Sequence, residues 1–136
     1  MTNTATETLS VIVEREIPYP PEKIWRALTQ PRLIEEWLMK NDFQPVVNHR
    51  FNLRADWGVV DCQVLAVEPN KTLSYSWAAY GLKSVVTWTL TPTSTGTHLR
   101  MEQSGFRRDQ PQYYQGAKGG WQGFFAALEQ VLARID

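Results

Sequence analysis

Apolar and polar residues alternate from Thr8 to Ile17, with Leu9, Val11, Val13 and Ile17 on one parity and Ser10, Glu14 and Glu16 on the other. A period of two predicts a half-buried strand. Arg15 falls on the apolar parity, so it needs either a structural ion pair at a sheet edge or an anionic ligand group. Pro18-Tyr-Pro-Pro21 ends the strand, because proline offers no N–H to a ladder but suits a first helical turn. Ile24, Trp25 and Leu28 then form a helical stripe that closes at Thr29-Gln-Pro31, and Leu33, Ile34, Trp37 and Leu38 form the stripe of a second short helix. Residues 41–48 read as a loop. The segments 49–55, 59–67, 72–78, 83–90 and 97–104 read as strands, separated by the turn-like residues 56–58, 68–71, 79–81 and 92–96. Short strands with tight connections predict an antiparallel meander. From about Pro111 the period returns to 3.6, with Trp121, Phe124, Phe125, Leu128, Val131, Leu132 and Ile135 on one face.

The amino-terminal half of that last helix carries Gly116, Gly119, Gly120 and Gly123. Glycine in a helix interior is disfavoured by ~0.8–1 kcal/mol relative to alanine. Three arrangements would offset this: a backbone lying very close to the sheet, space left beneath the helix, or a helix that begins only near Gly120.

No repeat, low-complexity tract or linker interrupts the 136 residues, so a single domain over 1–136 is expected, with residues 1–7 as a flexible tail. Fourteen Lys and Arg balance fourteen Asp and Glu, which argues against a nucleic-acid partner, since phosphate backbones demand a basic surface. The polar start lacks the basic stretch and apolar core of a signal peptide. Cys62 is the one cysteine, so no internal disulfide forms. No apolar run nears the ~18 residues that would insert in a membrane. A cytoplasmic location is expected.

Catalytic signatures are missing. His49 and His98 lie in no metal-ligand spacing, and His98 shares the solvent parity of Arg100 and Glu102. Neither metal nor cofactor is expected. Cys62 sits on the parity of Val60 and Val64 and should be a buried, inert thiol. Residues 116–123 superficially resemble a phosphate loop but follow no strand and lack Gly-Lys-Ser/Thr. No serine lies in a Gly-x-Ser-x-Gly elbow.

Six Trp, five Tyr and five Phe are the richest signal, because such side chains line cavities as well as fill cores. Leu73, Tyr75 and Trp77 share a parity, as do Val86, Trp88 and Leu90, and Leu99, Met101 and Gln103. This apolar sheet face and the Trp121, Phe124 and Phe125 face of the long helix must bury each other. Their meeting is either a packed core or a cavity with a few polar groups, the usual form of a small-molecule site.

Further residues carry a family resemblance. They are Arg15, Ile17 and Pro20; Ile24-Trp-Arg-Ala-Leu-Thr29 with Pro31; Glu35-Glu-Trp37; Val67-Glu-Pro69; Leu73-Ser-Tyr-Ser-Trp77; and Val86-Thr-Trp-Thr-Leu90. Gly96-Thr97, Leu99, Gln103-Ser-Gly-Phe106, Gly119-Gly-Trp121, Leu128 and Leu132 complete the pattern. Together they resemble the bacterial relatives of the activator of the ninety-kilodalton heat-shock chaperone's ATPase, within the START-like superfamily. The resemblance runs from about Ser10 to Arg134. It implies an α+β helix-grip fold: a curved antiparallel sheet wrapped around a long carboxy-terminal helix, with two short helices after the first strand and a cavity between. It implies no universal activity, since superfamily members bind lipids, cyclise polyketides or activate chaperones. The family often has a histidine where Gln103 stands and an acidic residue where Ala66 stands. Both departures favour binding over catalysis.

The expected function is therefore binding of a small apolar or aromatic molecule. The candidate lining is Trp37, Trp57, Tyr75, Trp77, Trp88, Gln103, Trp121 and Phe125, with Tyr75 and Gln103 fixing orientation and Trp121 lining the cavity rather than filling a core. An enzyme such as a cyclase or hydrolase built on the same cavity is the first alternative. It would need a positioned acid or base, for which Asp56, Asp61 and Glu102 are the nearest candidates, on turns or the outer face. A chaperone co-factor acting through a protein interface, or weak self-association, is the second. Dedicated activators carry a second domain for which this chain has no room.

Overall fold

The alternating segments become strands and the 3.6-period segments become helices in the computed structural model, which describes residues 8–135. The tail expected at residues 1–7 lies outside them. In chain order the elements are β1 (Thr8–Ile17), α1 (Pro21–Thr29), α2 (Pro31–Trp37), β2 (Lys40–Asn41), β3 (Arg50–Ala55), β4 (Gly58–Glu68), β5 (Thr72–Ala79), β6 (Leu82–Pro92), β7 (Thr97–Arg107) and α3 (Pro111–Arg134). The strands form one curved antiparallel sheet in the order β1-β7-β6-β5-β4-β3-β2. The helix-grip architecture read from the sequence is the one present.

Proline places both short helices as expected. Pro21 and Pro31 occupy first-turn positions, where a missing N–H costs nothing. The Trp37 indole donates to the carbonyl of Ala27 at 2.8 Å and ties α2 to α1. The helix α3 begins at Pro111, not near Gly120. Its glycines leave space rather than permit close approach, since a Cβ added at any of the four meets nothing within 4 Å.

Two departures from the sequence reading bear on the site. Residues 40 and 41 form the two-residue strand β2 at the sheet edge, overlapping by one residue the segment 41–48 that reads as a loop. More consequentially, β7 does not end at 104 but continues to Arg107 through a bulge. Leu9 pairs with Phe106 while Ser10 pairs with Ser104, so Gly105 is the extra residue. Its φ of +110° and the carbonyl of Lys83, 2.8 Å from where a Cβ would stand, both demand glycine there. The extra residue resets the alternation, and Gln103 and Phe106 both turn inward.

Among the described residues Arg15 forms no ion pair with a carboxylate. Its guanidinium donates to Gln122 Oε1 at 2.7 Å and lies 5.6 Å over the Phe125 ring. The aliphatic stem passes along the apolar face while the charge reaches toward the helix rim.

On the outer face, His98 bridges two carboxylates of β1, with Nε2 2.9 Å from Glu14 Oε1 and Nδ1 against Glu16. These hydrogen bonds raise its pKa above the ordinary imidazole value of 6.5. A raised folded-state pKa stabilises the fold fully below the unfolded value, and that contribution disappears as pH rises through the folded value. Denaturant midpoints should therefore fall as pH rises from about 6.5 upward, and His98→Gln should remove that slope. An identical pH profile in the variant would contradict the linkage.

Cys62 is 5% exposed, beside Val60 and Val64 on β4. Burial, then the charges of Asp61 and Asp42, push its thiol up to about 12. Thiol reagents should leave the native protein unlabelled at neutral pH and react only after denaturant is added. Rapid native labelling would contradict this burial.

Candidate functional site

The sheet and α3 meet in two regimes. From Trp121 onward α3 supplies Phe125, Leu128, Val131 and Leu132, all buried, and the space against the sheet is filled. Trp88 is 0% exposed and sits at the centre of this filled region. Its ring packs edge-on against Trp37 at 5.6 Å and tilted against Phe125 at 5.6 Å. Its Nε1 donates to the Tyr75 hydroxyl at 3.1 Å. Burial raises the pKa of that phenol above its ordinary value, which keeps it protonated. Trp37, Tyr75, Trp88 and Phe125, all expected at the cavity wall, thus form a packed aromatic core. Four large rings on neighbouring strands and helices fill the gap that smaller side chains would leave.

Before Trp121, α3 presents Gly116, Ala117 and Gly120 to the sheet, and the gap stays open as a cavity of about 270 Å³. Trp77 and Gln103 form its sheet wall, together with Ala79, Leu82 and Phe106. Met39 closes one side, and Trp121 and Phe124 close the end nearest the core. Trp57, Tyr80, Gln112 and Tyr113 form the rim. Of the eight residues read from the sequence, Trp57, Trp77, Gln103 and Trp121 are the ones on this surface. Trp121 does not choose between wall and core: it is 2% exposed and its ring also touches Trp77, Trp88 and Phe124 at 5.6, 5.7 and 5.3 Å.

At the inner wall the polar side chains Trp121 and Gln103 are bonded to each other and on to Ser84. Trp121 Nε1 donates to Gln103 Oε1 at 2.7 Å, and Gln103 Nε2 donates to Ser84 Oγ at 2.9 Å. The Ser84 hydroxyl donates in turn to the carbonyl of Trp77 at 2.9 Å. At the rim Tyr113 donates to the carbonyl of Tyr80 at 2.8 Å, and Tyr80 donates to the carbonyl of Trp57. The two β-turn aromatics of the rim are exposed, Trp57 at 54% and Tyr80 at 64%. Among the described residues no ionisable side chain other than the tyrosines lines the cavity. Such a surface can hold an apolar molecule by shape and ring contact. Among the described residues no cluster of His, Cys, Asp and Glu could hold a metal ion.

A wider depression on the outer sheet face is lined by Arg50, Asn52, Asp61, Gln63, Ser76 and Lys83. Asn52 Nδ2 donates to Asp61 Oδ1 at 2.7 Å there. It has the character of a solvated sheet surface rather than a ligand pocket.

Comparison with known proteins agrees with this fold. The family model described as activator of Hsp90 ATPase homolog 1-like protein matches residues 18–133. A crystal structure of protein MLL2253 from Mesorhizobium loti is 68% identical, covers 94% of this chain and 99% of its own, and superposes with a TM-score of 0.91. DynU16, from the dynemicin biosynthetic locus, is 27% identical with a TM-score of 0.80 over 93% of this chain, which spans about half, 47%, of that protein. CalU16 from Micromonospora echinospora shares the fold at 24% identity and a TM-score of 0.82, over 98% of this chain and 82% of its own. No curated protein sequence matches the chain. No helix among the described residues is long and apolar enough to cross a membrane.

Proposed function

The chain belongs to the family of activator of Hsp90 ATPase homolog 1-like proteins, and from that premise we propose that it binds a small, uncharged, ring-containing molecule between its sheet and α3. One observation carries this reading: an apolar cavity of about 270 Å³ whose inner polar side chains, Trp121 and Gln103, already bond each other and Ser84 behind them. A charged ligand group placed inside would lose its hydration and meet no oppositely charged side chain. The volume lies just below the ~300–1,000 Å³ usual for ligand pockets, which favours a compact molecule over a long-chain lipid. In this reading Trp77 and Trp121 supply the flat walls, Trp57 and Tyr80 the lip, and Gln103 the orientation of the Trp121 indole.

The enzyme alternative needs a general acid or base at the cavity, and Asp56, Asp61 and Glu102 do not line it. The protein-interface alternative needs a contiguous exposed apolar patch. Ile12, Val59 and Leu65 are exposed on β1 and β4, Val46 and Val47 sit together in the loop before β3, and Trp57 and Tyr80 meet at 6.0 Å on the cavity rim.

Native mass spectrometry of freshly purified protein tests the proposal, together with titration of the neutral fluorophore N-phenyl-1-naphthylamine. Saturable one-to-one uptake is expected, with 1-naphthoate competing far more weakly than neutral 1-naphthol. A protein that retains no added mass and takes up none of these molecules does not have this function.

A further inference from the structure

Residues 111–120 of α3 bury no side chain; the buried positions of the helix begin at Trp121. This segment starts at Gln110, whose side chain makes no capping bond to the first turn, so the first N–H groups lack that support. It is hollow on both sides. The ligand cavity lies behind Tyr113, Gly116, Ala117 and Gly120, and a second gap of about 120 Å³ separates Tyr114, Lys118 and Gln122 from β1. It is tied to the sheet by the hydrogen bond from Tyr113 to the Tyr80 carbonyl, the contact of Tyr114 with Phe106 at 5.8 Å, and the half-buried packing of Tyr113, Tyr114 and Ala117 against the core.

No close contact requires glycine here, because a Cβ at Gly116, Gly119 or Gly120 would stand in open space. What they do supply is a helix that unwinds at little cost. Immediately beyond Gly119-Gly120, Trp121 is anchored by Gln103 and three ring contacts. A weakly held segment thus abuts a strongly held one at a pair of glycines, over a cavity.

We propose that residues 111–120 form a gate, hinged at Gly119-Gly120, which unwinds independently of the rest of the fold and admits the ligand. The gate rests on the reading that this cavity is the ligand's site. Segments with few buried contacts open locally at free energies well below that of global unfolding.

Gly119 and Gly123 separate the gate from simple filling, because neither lines the cavity and an added Cβ at either meets nothing. Gly119 lies inside the opening segment and Gly123 beyond it. Hydrogen exchange of wild type should show the amides of 115–118 exchanging far faster than those of 125–132. Gly119→Ala should slow the 115–118 amides roughly fivefold, the factor expected from glycine-to-alanine helix propensity. It should slow association and dissociation of N-phenyl-1-naphthylamine by the same factor, with Kd unchanged. Gly123→Ala should raise the melting temperature yet leave gate exchange and both rates as in wild type. Uniform exchange along α3, unchanged probe rates in Gly119→Ala, or equal slowing by Gly123→Ala would each overturn the gate. A wild type that takes up no probe sinks the cavity reading instead, and the exchange contrast alone then upholds or overturns the hinge.

Discussion

Trp121→Ala is expected to destabilise the protein by about 3–5 kcal/mol, the range for truncating a buried tryptophan. The side chain loses contact with Trp77, Trp88 and Phe124, and the carbonyl oxygen of Gln103 loses its donor. Domains of this size are stable by ~5–15 kcal/mol in total, so the variant should sit close to unfolding. Trp121→Phe separates the two contributions. It keeps a ring but removes the N–H, and leaving the buried Gln103 oxygen unpaired should account for ~1–3 kcal/mol. Denaturant melts that shift the midpoint without changing the slope would read both losses. A loss below ~1 kcal/mol for the alanine variant would mean that Trp121 is not the packed wall described, since that falls outside the range for such truncations.

Gly120→Leu should have the opposite combination of effects. Gly116 and Gly120 lie one helical turn apart on the row that faces the cavity, and open space surrounds the position of a Gly120 Cβ. A leucine side chain there occupies the mouth. Replacing a helical glycine should also stabilise α3 by about 0.5–1 kcal/mol. Affinity for N-phenyl-1-naphthylamine should fall at least ~100-fold, the consequence of losing about 3 kcal/mol of contact, while the melting temperature rises. Loss of binding by general damage would lower both. Unchanged affinity in a stabilised variant would mean that the probe sits elsewhere, and the cavity would lose its claim to function.

The periodicities carried most of the fold. Strand parity put Leu73, Tyr75 and Trp77 on the inward face, and the 3.6 period identified the inward stripe of α3. Parity tells which face a residue occupies and nothing about depth along the strand. Trp88 and Trp77 share a face, yet one is locked in the core and the other borders open space. What decides between them is the opposing helix, bulky at Phe125 and empty at Gly120. The glycines raised that question in the sequence, and only packing answered it. Phe106 escaped because the Gly105 bulge resets the alternation, and one-dimensional parity cannot register an added residue. Tyr80 escaped because it stands in a turn at φ +52°, where no periodic pattern exists. Its hydroxyl reaches the Trp57 carbonyl across two turns that are remote in sequence.

The short strand β2 has a consequence for the behaviour of the protein at high concentration. A curved sheet ends in strands whose outward N–H and C=O groups invite another chain to add itself. Here Lys40 and Asn41 pair with Arg54 and Leu53 and then stop. The next outward N–H of β3, that of Asn52, is taken at 2.9 Å by the Asp42 carboxylate rather than by a strand. Asn41 turns the chain away as well, since its Oδ1 accepts from Phe43 N at 3.1 Å and its Nδ2 donates to the carbonyls of Met39 and Pro31. The edge of β3 is thus closed by a carboxylate and a lysine-bearing stub, a combination that presents charge where a growing aggregate would need a bare ladder.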